Sequence, residues 1–127
     1  MNYLSAQQVL FINSRLIAET GGETGLRDLS LLESAIARPA MTFDGDELYP
    51  GLFYKAAALL DSLVNNHPFV DGNKRTGITS TAMFLRINGH RLACSSDELE
   101  NFTMQVATTH PPIQELASWL NDHSQSV

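Results

Sequence analysis

The sequence predicts an all-α fold: one compact helical domain of about six helices around a central antiparallel helix pair. Three observations predict it. Apolar residues recur at helical spacing almost throughout, with little alternation of the kind strands show. Helix start and stop signals recur along the chain. One segment, Leu52, Phe53, Ala56, Ala57, Leu59, Leu60, Leu63 and Val64, is apolar around most of a helix circumference and must be buried on several sides.

The elements follow in order. Ser5 caps a first helix carrying Val9, Leu10, Ile12, Leu16 and Ile17, which stops at Gly21-Gly22. Asp28 or Ser30 starts a short second helix with Leu29, Leu32 and Ile36, stopped by Pro39. Residues 40–50 read as a loop, with Phe43, Asp44-Gly45 and Pro50 as its turn elements. The central pair comes next: the apolar third helix breaks at His67-Pro68, and a fourth begins near Asn73 and runs to Asn88-Gly89. Ser95 with Glu98 forms a capping box for a fifth helix. Pro111 or Pro112 opens a sixth with Ile113, Leu116, Trp119 and Leu120. The polar tail, residues 122–127, is expected to fray. Phe11, Phe53, Phe84, Phe102 and Trp119 fall at helical spacing and are expected in the core.

Length and composition set the class. At 127 residues the chain is one domain, 1–127, able to bury a core without a disulfide or metal staple. Its single cysteine, Cys94, excludes an internal disulfide. No signal segment and no membrane-length apolar run is present, so no membrane partner is expected and the expected location is the cytoplasm. Eight Lys and Arg against fourteen Asp and Glu leave a net charge of −6, which argues against direct nucleic-acid binding. His90, His110 and His123 show no metal-ligand spacing and read as surface or loop residues.

The chemistry concentrates in His67-Pro-Phe-Val-Asp-Gly-Asn-Lys-Arg-Thr76. The fourth helix opens with Asn73, Lys74 and Arg75, although a helix N-terminus carries partial positive charge and disfavours cations by roughly 0.3–1 kcal/mol each. Two cations, free N–H groups and the close-approach glycine Gly72 together describe a phosphate site. The ordinary alternative is that Asp71 merely caps the helix and the cations face water. His67 shifts the balance, because a tight loop anchored by Phe69 and Val70 brings its imidazole to that helix start, where it can accept a proton from a hydroxyl. Asp71 is placed to hold a magnesium ion bridging phosphate oxygens.

This decapeptide resembles the signature of the Fic/Doc superfamily, in the form used by the death-on-curing (Doc) toxins. Other stretches carry the same likeness: Gly21-Gly22, Gly25-Leu26-Arg27-Asp28, Leu32-Glu33-Ser34-Ala35, Asp44-Gly45, Tyr49-Pro50 and Phe84-Leu85-Arg86-Ile87-Asn88-Gly89. It covers about residues 3–92, with its motif core at 52–89. The resemblance implies a Fic fold, ATP as nucleotide substrate with Mg2+, and a toxin neutralised by a cognate antitoxin. It implies His67 as catalytic base, Asp71 as the magnesium-associated acid, and Gly72, Asn73, Lys74, Arg75 and Thr76 as phosphate-binding positions, with Lys74 and Arg75 also assisting catalysis. Phe43, Asp44 and Gly45 correspond to a flap that aligns a target segment.

Two departures bear on the reaction. Lys74 stands where AMP-transferring Fic enzymes have glycine, and Ile78 where they have a second arginine. A long side chain fills the phosphate space, and a bidentate clamp is lost. The resemblance therefore implies a kinase that passes the γ-phosphate to a hydroxyl of a translation factor, elongation factor Tu. An AMP transferase of the same superfamily, a non-catalytic module binding nucleotide or antitoxin, and a magnesium-dependent nucleotide hydrolase remain the alternatives. Asn13 replaces a histidine frequent in relatives. Ser96–Asn101 fits a self-inhibitory pattern, but its glutamate would need the arginine that Ile78 replaces.

Overall fold

A computed structural model describes all 127 residues, Met1–Val127. Six helices build it: α1 (Ala6–Thr20), α2 (Leu29–Ala37), α3 (Leu52–Asn65), α4 (Asn73–Ile87), α5 (Ser96–Thr109) and α6 (Ile113–Asp122). No helix is long and apolar enough to cross a membrane. The start signals act as read. Ser5 Oγ accepts from Gln8 N while Gln8 Oε1 accepts from Ser5 N, and Ser95 and Glu98 repeat the pattern at α5. Those hydrogen bonds from Ser95, backbone first, hold the Glu98 carboxyl below its ordinary pKa. Asp28 rather than Ser30 caps α2, accepting from Leu31 N at 3.1 Å.

The centre is α3 against α4, with α6, α1, α2 and α5 packed around them. Residues 56–60 of α3 are buried without interruption, which is what an all-round apolar helix requires. Gly77 on α4 lets the pair close. A Cβ there would stand 2.7 Å from Val64 Cγ2 and 3.4 Å from Leu63 Cβ.

Three features differ from the sequence expectation. Residues 40–50 are more than loop: β1 (Thr42–Phe43) and β2 (Asp46–Glu47) pair as an antiparallel hairpin. Asp44 and Gly45 both take positive φ, 53° and 83°, as a tight two-residue hairpin turn demands. The tail is not frayed. β4 (Ser124–Ser126) pairs with β3 (His90–Leu92), and Val127 N donates to Gly89 O. A polar sequence hid this because the ladder uses main-chain groups only, and Ser124 Oγ adds a bond to Leu120 O. Phe11 is 64% exposed. It lies two residues, about 200° of helical rotation, from both Val9 and Asn13 on the buried face, so it points outward. Phe53 and Trp119 are half-buried, while Phe84 and Phe102 belong to the core. His110 is exposed, but His90 and His123 are half-buried, the latter stacked on Trp119 at 3.9 Å.

Replacing Gly77 with Ala tests the central packing. Alanine is the better helix former by about 1 kcal/mol, yet Val64 is fully buried and stiff at χ1, so overpacking dominates. Urea unfolding should show a net loss of about 1–2 kcal/mol; unchanged or higher stability would mean α3 and α4 are not held at this separation.

Candidate active site

The chain leaves α3 at Asn66 and turns sharply at His67, which adopts a left-handed conformation with φ 51°. A non-glycine residue held there is strained and needs external support. Arg27 supplies it: its Nε donates to His67 O at 2.6 Å and its Nη2 to Asn66 O at 2.9 Å. The backbone of residues 25–28 adds a short zipper, with Arg27 N and Asp28 N donating to Pro68 O and Val70 N donating to Gly25 O.

From Pro68 the loop returns to α4. Phe69 is buried, as expected of an anchor, whereas Val70 is about half exposed and helps to line the cleft. Asn73 closes the loop on itself. Its Oδ1 accepts from Phe69 N and its Nδ2 donates to Phe69 O, both at 3.0 Å. The second proton of that amide faces His67 Nδ1 at 3.4 Å, a weak contact that leaves the exposed imidazole free to turn toward a substrate.

The α4 N-terminus is uncapped. Gly72 occupies the cap position in the left-handed region, φ 75°, and offers no side-chain acceptor. A Cβ there would also meet Ile17 Cδ1 at 3.1 Å, so both conformation and space select glycine. Asp71 does not cap the helix: one carboxylate oxygen accepts from Gly72 N, and the other from Glu23 N at 3.3 Å. The amides of Asn73, Lys74 and Arg75 therefore have no acceptor. Gly22 lies so close that a Cβ would stand 2.5 Å from Asp71 Oδ2, and this close approach seats the 21–23 loop against the carboxylate.

Underneath, Asn13 of α1 is buried and donates from Nδ2 to Asp71 O and to Thr76 Oγ1, each at 3.0 Å. Thus α1 fixes the loop and the first turn of α4 together. Above, Lys74 and Arg75 are exposed, and Arg75 Nη1 donates to Thr20 Oγ1. Neither cation has a carboxylate partner, in contrast to Arg15, Arg38 and Lys55.

The result is a cleft of about 340 Å³ lined by His67 and residues 70–75, with imidazole, carboxylate, free amides and two cations converging on it. Such a set can bind phosphate and can move a proton. Not every expected residue reaches it. Thr76 is fully buried with its hydroxyl engaged by Asn13, so it supports the floor and touches no ligand. The Asn73 side chain is consumed by Phe69, which leaves only its backbone N–H free toward the cleft. Phe43, Asp44 and Gly45 sit on the exposed hairpin and do not line the cleft. Asp71 is the sole carboxylate lining the cleft, and no cluster of three metal-ligating side chains exists. This donor set fits a magnesium ion that arrives with substrate phosphates and uses one protein carboxylate.

Arg27 and Asn13 carry weight that their residue types did not announce. Arg27 binds carbonyls, which leave no mark in sequence, and Asn13, marked there only as standing where relatives often have histidine, proves to be a buried polar residue of α1.

Residues 3–85 match the model of the Fic/DOC family. "Toxin Doc" of Mycolicibacterium smegmatis is 43% identical over 120 residues, covering 93% of this chain and 90% of the relative. "Protein kinase doc" of Escherichia phage P1 is 30% identical over 120 residues, covering 94% of each.

Asn13→Ala should strand the Asp71 carbonyl and loosen the first turn of α4, destabilising the protein by about 1–3 kcal/mol. Thermal unfolding beside amide exchange in 71–76 checks this, and an unaltered exchange pattern there would contradict the role given to Asn13.

Proposed function

This chain belongs to the Fic/DOC family, and we propose that it is a Doc-type toxin that transfers the γ-phosphate of ATP to a protein hydroxyl, with elongation factor Tu as the expected target. The observation that carries the reading is the meeting of His67 with the uncapped N-terminus of α4 in one cleft. The free amides of 73–75, with Lys74 and Arg75, would hold the triphosphate by hydrogen bonds and charge. Asp71 would hold a magnesium ion bound to the phosphates, which supplies neutralisation of the charge spread over their oxygens.

The acceptor hydroxyl oxygen attacks the γ-phosphorus while His67 takes its proton. The bond from that phosphorus to the β–γ bridging oxygen breaks, and ADP leaves. The proton then passes from the imidazole to solvent. Positioning and charge supply most of the acceleration in such transfers.

Lys74 favours phosphate over AMP transfer. It projects without a partner where an open glycine would let a phosphate lie against the backbone, and it borders both the phosphate cleft and a second groove. Ile78 floors that second groove and offers no charge to clamp a further phosphate. The name of the phage relative, a protein kinase, supports the same choice.

A cognate antitoxin is the proposed regulating partner. The groove between α4 and α5, about 210 Å³, is floored by Ile78, Leu99 and Met104 and rimmed by Lys74 and Arg75. A neighbouring groove that shares Leu99 is lined by Arg86 of α4 and Arg91 of β3, also without carboxylate partners. Four cations without carboxylate partners beside apolar side chains, on a chain of net charge −6, suit an acidic amphipathic helix.

The test incubates the protein and its His67→Ala variant with magnesium, ATP and elongation factor Tu, and weighs the target. A gain of about 80 Da, one phosphate, is expected with the unaltered protein alone, and label from the γ rather than the α position of ATP should follow it. A gain of one AMP group would replace the kinase reading by AMP transfer. Steady phosphate release with no labelled protein would replace it by nucleotide hydrolysis.

A further inference from the structure

Asp71 and Arg75 stand four residues apart at the start of α4, and both are exposed on the same cleft. Opposite charges at this spacing pair readily, as Arg15 and Glu19 do at 3.3 Å. Here they do not: no nitrogen of Arg75 comes within 4.0 Å of an Asp71 oxygen. The cause lies at the end of α1, where the short stretch of residues 20–23 holds each charge at a different point.

Thr20, the last residue of α1, takes the cation. Its hydroxyl has a single proton, which it donates to Leu16 O at 2.7 Å. The oxygen is thereby fixed as an acceptor, and Arg75 Nη1 donates to it. One guanidinium N–H is used, and the rest stay free for a ligand. The last turn of α1 has no basic residue of its own, so Arg75 also supplies the cation that a helix C-terminus favours. Gly21 and Gly22, at φ 84° and 116°, then turn the chain toward the carboxylate. Glu23 N donates to one Asp71 oxygen at 3.3 Å, and Gly72 N to the other at 2.7 Å. The cation thus rests on the negative end of α1 and the anion on main-chain N–H groups. An exposed ion pair between the two would be weak, and these contacts prevail over it.

We propose that Thr20 is a positioning residue that, with the 21–23 turn, keeps Arg75 and Asp71 apart, so that the guanidinium stays open to phosphate oxygens and the carboxylate to magnesium. An Arg75 paired with Asp71 would have to leave it before binding phosphate, and breaking that pair would show as lost affinity. The proposal rests on the phosphate-binding reading of the cleft and is independent of which phosphate is passed on.

Thr20→Val keeps the shape and removes the acceptor at an exposed position, so the fold should hold. The probe is inorganic triphosphate without magnesium, titrated by calorimetry into the full chain. Its affinity should fall roughly 3–10-fold in Thr20→Val and return in Thr20→Ser. In an Asp71→Asn background the same Thr20→Val change should cost less than about 2-fold, because no anion remains to capture Arg75. If Thr20→Val folds poorly, Thr20→Ala serves for the same comparison. Unchanged affinity in Thr20→Val, or in Thr20→Ala where that variant stands in, overturns the role of Thr20. An equal loss with and without the Asp71→Asn change would mean that Thr20 only orients Arg75, and overturns the separation. Failure of the unaltered protein to bind triphosphate overturns the phosphate reading and this proposal with it. The expected coupling without any transfer to elongation factor Tu would support the separation while overturning the kinase reading.

Discussion

The side-chain amide of Asn73 pairs with both main-chain groups of Phe69 inside the protein, and the geometry of the cleft depends on that pairing. An asparagine can satisfy a buried donor and a buried acceptor of one residue at once, which no apolar or charged side chain does. Phe69 is thereby fixed in the core, and the turn that contains it cannot open without stranding buried polar groups, at roughly 1–3 kcal/mol each. The two ends of this short loop are the C-terminus of α3 and the N-terminus of α4. Because they are held together, His67 and the free amides of α4 share one cleft. Arg27 and Asn13 then brace the loop from opposite sides, one at the strained His67 turn and one beneath Asp71.

Electrostatics in the cleft follow from what the helix start lacks. A capping side chain can satisfy the first N–H groups of a helix, and α1, α2 and α5 use Ser5, Asp28 and Ser95 in this way, whereas α3, α4 and α6 have no such cap. At α4 the cap is a left-handed glycine, and the nearest carboxylate, Asp71, is bound elsewhere. Two cations follow at once, so dipole, N–H groups and side-chain charge all have the same sign. An arrangement that raises the energy of the empty site lowers it when a polyanion binds.

Much of this was legible in the sequence because it depends on local signals. Capping boxes at Ser5 and Ser95, the Asp44-Gly45 turn, and the clustering of His67 with Asp71 and Arg75 involve residues close in the chain. What escaped depends on partners far apart. The Asn13–Thr76 and Arg38–Asp61 bonds join different helices. The acceptors of Arg27, and two of those of Lys55, are carbonyls, which every residue possesses, so no composition marks them. The same reason accounts for strand β4, built by main-chain pairing under a polar tail. Thr76 misled in a different way. Adjacent to phosphate-facing residues in sequence, it is turned by the helix onto the opposite, buried face.

A division of labour between buried and exposed residues results. Asn13, Asn73 and Thr76 are buried and hydrogen-bonded within the scaffold, so altering any of them disturbs the loop itself. Lys74 is exposed and holds no partner, and Ile78 meets the groove with a side chain that makes no polar contact. Lys74 can change charge and size with little effect on the frame that presents His67, whereas Ile78 also packs in the core. They are also the positions at which this chain departs from the pattern of AMP-transferring enzymes. In the proposed phosphotransfer, Lys74 can therefore change while the frame stays the same, because an exposed side chain without a partner contributes almost nothing to holding the fold together.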